Sequence, residues 1–262
     1  MSLTKKCQNY VVIDIQSGAT GPRCTDRFPV RVQAIKLVRD RLGEWGSFEE
    51  KREISTFITG TTSLSPKIEF KSLLTPITGI SREDFKHGMK QSLDLLTARL
   101  IKFVPIDATV VCQADWHVVE PLLSEIGLVK GVHFFSFLSL GEVFKTDRLH
   151  ETDKIPPGYT FNLTTLVKVV LGREPNRQDR ARDLADLFKR ADILLHRDPK
   201  DLQDLIRKCW HALQERHERG EKSFATDHPQ FEGVCLGHLE STPIGKMCHC
   251  GAQAKKTMTF WF

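Results

Sequence analysis

The stretch Tyr10-Val-Val-Ile-Asp-Ile15 decides how this chain is read. A short, continuous run of β-branched apolar residues fits a strand buried on both faces. The run meets an acid, Asp14, and Gln16-Ser-Gly-Ala-Thr-Gly-Pro22 then has the composition of a loop. The expectation is a buried strand with Asp14 at its carboxyl end. In open α/β sheets ligands gather beyond the carboxyl ends of strands, so an acid there is a candidate metal ligand as well as a turn residue.

Two further strands are predicted, Phe28 to Val38 and Glu53 to Thr59, the second alternating Ile54, Thr56, Ile58 against Ser55, Phe57, Thr59. Three strands in succession predict an antiparallel meander opening a mixed sheet. Ser81 followed by Glu83 and Asp84 reads as a helix start, and a longer helix is expected over Met89 to Phe103. Thr109 to Gln113 reads as a buried strand. A helix opens near Asp115 and runs through Ile126, and Val132 to Phe137 reads as a short strand. Asn162 caps a helix stopped by Gly172. Asp179 to Leu195 is amphipathic, and Pro199 to Gly220 is a basic helix whose Leu205, Cys209 and Leu213 face inward. This order predicts an α/β fold over residues 1–222 and a separate Cys/His-rich tail over 223–262.

Composition narrows the class. Of 262 residues, 40% are hydrophobic and 27% charged, the balance of an ordinary globular chain. No run approaches 18 apolar residues, so no membrane-spanning helix and no membrane partner are expected. Met1 to Lys6 is polar and carries no apolar signal core. Seven cysteines is an odd number, and Cys7, Cys24, Cys112 and Cys209 are scattered. Both observations predict an intracellular protein, cytoplasmic or nuclear, without a disulfide framework. The net charge of +5 permits a nucleic-acid partner without requiring one.

Five pieces carry a resemblance: Val11-Val-Ile-Asp-Ile-Gln16, Phe28-Pro-Val30, Leu74-Thr-Pro-Ile-Thr-Gly-Ile80, Ala114-Asp-Trp-His117, and Gly172 to Ala185. In this order and spacing the chain resembles the DEDDh 3′-to-5′ exonucleases, in the branch of the histone-mRNA and RNA-interference-enhancing exonucleases. The resemblance implies an RNase H-like mixed sheet flanked by helices. It also implies hydrolysis by two Mg²⁺ ions held by carboxylates, with a histidine as general base. Carried over by position, the first motif retains Asp14, but its glutamate is Gln16. The aspartate that should follow the tryptophan is His117. In the third motif the functional acid is Arg180, and the histidine position falls on Pro175 or Asn176. These replacements remove three negative charges and add one positive charge. They predict a degenerate site in which Arg180 pairs with Asp14 or with a phosphate in place of a metal. Asp115 and Asp179, two residues and one residue out of register, are the carboxylates that could rescue it.

Arg173, Arg177, Arg180 and Arg182 cluster around the old third motif and are candidate phosphate contacts, with a solvated helix face as the plainer reading. In the tail, Cys235-Leu-Gly-His238 and Cys248-His-Cys250 supply four ligands suited to a structural zinc. Met247 to Gly251, with Lys255, Lys256 and Phe260-Trp-Phe262, resembles the start of a GRF-type zinc finger, a module that binds single-stranded nucleic acid. The final cysteine of that module is missing, and Cys235 and His238 stand in for it. Three functions follow. The first is a pseudo-exonuclease that binds single-stranded RNA or a protein partner. The second is an active Mg²⁺-dependent exoribonuclease using Asp14, Asp115 and Asp179, and the third is an interaction scaffold without nucleic acid.

Overall fold

The computed structural model describes residues 8–23, 26–39, 46–62, 67–150, 153–221, 230–236 and 250. A six-stranded mixed sheet forms the centre, built from β1 (Gln8–Ala19), β2 (Arg27–Arg39), β3 (Phe48–Gly60), β4 (Lys90–Ser92), β5 (Thr109–Cys112) and β6 (Ser136–Ser139). Its order is β4-β3-β2-β1-β5-β6. The meander β1–β2–β3 is antiparallel, whereas β4 joins β3, and β5 and β6 join β1, in parallel. The first strand therefore lies inside the sheet, as a run apolar on both faces requires.

Alternate side chains of β1 feed two cores. Val12 joins Ile35 and Leu37 against α7 (Arg180–His196) and α8 (Pro199–Glu218), which contribute Leu184, Leu187, Phe188, Leu202, Ile206 and Cys209. Val11 and Ile13 join Val32, Ile54 and Ile58 under α3 (Leu93–Phe103) and α4 (Trp116–Glu125). Helices cover both faces, giving the expected α/β fold. Among the described residues no helix is long and apolar enough to cross a membrane.

Several expected boundaries move. The segment after Asp14 is not a loop, because β1 continues paired with β2 as far as Ala19. Met89 to Ser92 is not the first turn of the long helix. Lys90–Ser92 pairs with β3 as β4, and the helix begins at Leu93. The strand expected over Val132 to Phe137 is instead β6, Ser136–Ser139, because Val132 and Phe135 are exposed. The last helix buries Leu202, Ile206 and Cys209, packs Leu205 half-buried against the same core as expected, and leaves Leu213 only half-buried. Other signals match the folded chain. Ser81 and Asp84 form a reciprocal capping box on α2 (Arg82–His87). Asn162 caps α6 (Leu163–Leu166), which continues as a π-helical turn to Leu171 and stops at Gly172 (φ +66°). A small hairpin, β7 (Gln230–Phe231) and β8 (Val234–Cys235), packs Val234 and Leu236 on Ala19 and Leu74.

Candidate functional site

Parallel pairing between β1 and β5 covers only Tyr10 to Val12. Beyond Val12 the two strands part, and a crevice opens at the carboxyl end of β5, where a doubly covered sheet places its ligands. A cavity of about 120 Å³ occupies it, lined by Asp14, Gln16, Thr78, Cys112 and Arg180 with an apolar wall including Ile77 and Val119. Burial pushes the Cys112 thiol well above its ordinary range, so it serves as apolar lining.

Asp14 and Gln16 point to the same face of β1, two residues apart. A register shift follows Gln16, a bulge at the position where strands commonly re-aim side chains beside a site. Asp14 is only 7% exposed. Arg180 Nε lies 3.3 Å from its Oδ2, yet neither atom has a well-directed hydrogen-bond partner. Gln16, 4% exposed, donates its Nε2 to the Thr78 carbonyl at 2.7 Å, while its Oε1 is buried without a partner.

The walls have specific local causes. Thr78 closes α1 (Thr75–Thr78) and donates its hydroxyl to the Leu73 carbonyl at 2.8 Å. Gly79 follows with φ +73°, and a Cβ there would lie 2.6 Å from Cβ of Arg177. Only glycine accepts both that backbone conformation and that approach. On the other side Gln33, opposite Asp14 on β2, accepts from the Arg180 backbone N–H at 3.2 Å and donates to the Gln178 carbonyl at 3.1 Å. This fastens the start of α7 over the first strand. Sequence reasoning does not single out Gln33 or its neighbour Arg31. Their one signal is the polar-apolar alternation Val30-Arg-Val-Gln-Ala34 inside a strand that otherwise reads as buried.

The other candidate residues lie elsewhere. His117 is exposed on the first turn of α4 and does not line the cavity. Asp115 accepts from the Ser139 hydroxyl at 2.9 Å, and Asp179 caps α7 by accepting from the Arg182 backbone N–H at 3.1 Å. Neither lines the cavity with Asp14. Arg173 pairs with Asp183 and Asp186, and Arg182 pairs with Glu50 and Glu53. Arg182 and Lys189 hold the Glu50 carboxyl below its ordinary range. Of the four clustered arginines, Arg177 is exposed and has no carboxylate partner among the described residues. Cys235 is buried in β8 and Cys250 is half-buried. His238, Cys248, Lys255 and Lys256 lie outside the described residues.

Two magnesium ions need several carboxylates around them. The cavity offers one carboxylate, Asp14, and the side-chain amides of Gln16 and Gln113, with a guanidinium against the carboxylate. Among the described residues no group of three or more His, Cys, Asp or Glu side chains is gathered for a metal. These residues do not fit a two-metal centre. They present two buried acceptors, Asp14 Oδ2 and Gln16 Oε1, and one mispointed donor.

No protein-family model and no curated protein matches this sequence. Solved structures do match. The Saccharomyces cerevisiae Pan2 pseudoubiquitin hydrolase–RNA exonuclease module in complex with AAUUAA RNA superposes with a TM-score of 0.52 at 14% identity, covering 85% of this chain and 34% of that one. The same module with AAGGA RNA gives 0.50, also at 14%. E. coli exonuclease I gives 0.50 at 16%, covering 75% of this chain and 42% of that one. The chain thus spans about a third of the Pan2 module and under half of exonuclease I. At these identities the likeness concerns architecture alone, a mixed α/β RNase H-like fold that these exonucleases share.

Proposed function

We propose that this chain is a degenerate member of the DEDDh exonuclease fold, which binds single-stranded RNA or a protein partner and does not cleave RNA. The observation that carries the reading is Arg180 lying 3.3 Å from Asp14, a fixed cation where the fold's chemistry calls for a mobile divalent one. The two unpartnered acceptors in the cavity suit the hydroxyl donors of a terminal ribose. The structural neighbour in complex with RNA and the exposed Arg177 at the loop before α7 support a nucleic-acid ligand. The exposed apolar side chains Ile106, Val132 and Phe135 support a protein partner. A zinc held by Cys235, His238, Cys248 and Cys250 would order the tail, and elemental analysis of the purified chain, finding one zinc that Cys248→Ser with Cys250→Ser removes, tests that part.

The test of the main reading uses labelled single-stranded RNA and the full chain with Mg²⁺ or Mn²⁺. The expected result is salt-sensitive binding without shortening, weakened by Arg177→Ala with Arg180→Ala. Every arginine removed from a phosphate should flatten the salt dependence by a slope of about 0.7. Metal-dependent shortening abolished by Asp14→Ala would establish the active enzyme built on Asp14, Asp115 and Asp179 instead. Absence of RNA binding at low salt would leave the protein-interaction scaffold.

A further inference from the structure

A second cavity, of about 300 Å³, lies on the other side of Gln33 from Asp14. Its lining is polar, with Arg31, Gln33, Ser55, Asn176, Gln178 and Asp179 among the residues that face it. Arg31 stands opposite Gln16 across the β1–β2 ladder and Phe57 opposite Arg31 across β2–β3. Directly opposed residues share a face of the sheet, so the guanidinium lies in the polar band that starts at Asp14 and Gln16. It rests over the Phe57 ring, 5.2 Å from the centroid, a cation–π contact.

Arg31 differs from the three arginines of this region that hold carboxylates. Arg180 has Asp14, Arg182 has Glu50 and Glu53, and Arg173 has Asp183 and Asp186. Arg31 has no carboxylate within ion-pair distance among the described residues. Its one polar contact is a long hydrogen bond of 3.4 Å from Nη2 to the Ser55 hydroxyl, and its Nε is buried without a partner. Burial lowers its pKa, against the pull of Asp14, Asp179 and Asp84 at longer range. A partly desolvated guanidinium without an ion-pair partner carries a cost that an incoming anion relieves. The acids lining the cavity are already engaged, since Glu53 pairs with Arg182 and Asp179 caps α7. Around Arg31 stand the donors of Ser55, Asn176 and Gln178. The Gln178 amide reaches only Asp84, at 3.5 Å. A fork of guanidinium donors with a hydroxyl and two carboxamides exceeds what the two oxygens of a carboxylate require. It matches the three or more free oxygens of a phosphate.

We infer that the cavity at Arg31 is a phosphate-binding site, separate from the crevice at Asp14 and lying one strand away from it. It takes a phosphate group, whether free or carried by a nucleotide, and Arg31 is the residue that recognises it.

The experiment titrates the full chain with inorganic phosphate, chloride being exchanged to keep ionic strength constant. The readouts are the unfolding midpoint and the side-chain amide resonances of Asn176, Gln178 and Gln16. Phosphate should raise the midpoint saturably and shift Asn176 and Gln178 while leaving Gln16 in place. Arg31→Met, which removes a half-buried charge that has no ion-pair partner among the described residues, should unfold at the same temperature or higher in chloride. It should lose at least about tenfold in phosphate affinity. The wild-type resonances decide the question even if that variant fails to fold. Competition by adenosine 5′-monophosphate identifies a nucleotide as the carrier, and failure to compete identifies free phosphate. An unsaturable response equal to that of chloride overturns the inference. So does a shift confined to Gln16, or full phosphate affinity in Arg31→Met. Loss of RNA binding with phosphate binding intact defeats the RNA reading and leaves this site standing.

Discussion

Helix α7 carries an arginine–aspartate pair near each end, and the two are built differently. Near its C-terminal end Asp192 is almost fully buried and pairs with Arg39, while its second oxygen accepts the Gly46 backbone N–H at 2.8 Å. Arg39 in turn lies over Tyr10 and Phe48. At the N-terminal end Asp14 meets Arg180 at a similar degree of burial, but with poor direction, an orphaned oxygen and a cavity beside it. A buried aspartate with a partner on each of its oxygens is a structural fastening. One left half answered, beside a crevice at the carboxyl end of the strands, is the geometry on which the proposed ligand site rests.

The largest expected effect falls on the fastening. Asp192→Ala takes the carboxylate away from both Arg39 and the Gly46 backbone N–H and should destabilise the chain by about 3–5 kcal/mol, read by denaturant unfolding. A loss under about 1 kcal/mol would erase the distinction between the two ends. Next comes the wall of the crevice. Gly79→Ala places a methyl group against Arg177 at a positive φ, and a loss of about 1–2 kcal/mol is expected. Wild-type stability in that variant would mean that the loop before α7 is not held as described. Asp14→Asn should change stability by less than about 1 kcal/mol, because the pair it alters is already poorly directed. A cost equal to that of the Asp192 variant would make Asp14 structural too.

The smallest effect is on pH dependence. Arg182 and Lys189 depress the folded-state pKa of Glu50, so the folded chain binds fewer protons there than the unfolded chain does. That contribution is present above the ordinary value of 4.5 and is lost as pH falls through the lower folded value. Glu50→Gln should therefore flatten the acid limb of the unfolding midpoint against pH and leave the neutral plateau little changed. An unaltered acid limb would remove Glu50 from the account.

Sequence and structure agree most closely where a physical constraint is local. The double-sided burial of β1 forces a continuous apolar run, and Ser81, Asn162 and Gly172 mark helix ends because backbone groups there need partners or a positive φ. Periodicity fails where apolar residues stay outside. Val132 and Phe135 look like core, yet Phe135 is 75% exposed, so the pattern puts the strand four residues early. It fails again at Lys90–Ser92, where three residues pair with a distant strand and leave no local pattern. In the site, Asp14, Gln16 and Arg180 are legible as motif positions. The roles of Arg31 and Gln33 depend on register between strands and on what the 176–180 segment lays over them, neither of which a single segment records.

The hairpin after α8 bears on where this protein can be cut. Val234 and Leu236 sit on Leu74 and Ala19, with Ile77 against them, and Ile77 is also a wall of the crevice. A cut at residue 222 therefore separates this hairpin from the chain it packs on. A protease or a truncation acting there strips the outer layer from the turn that holds Thr78 against Gln16. The shortened chain should keep its sheet and lose the shape of its cleft, because Ile77 borders both the hairpin and the cleft.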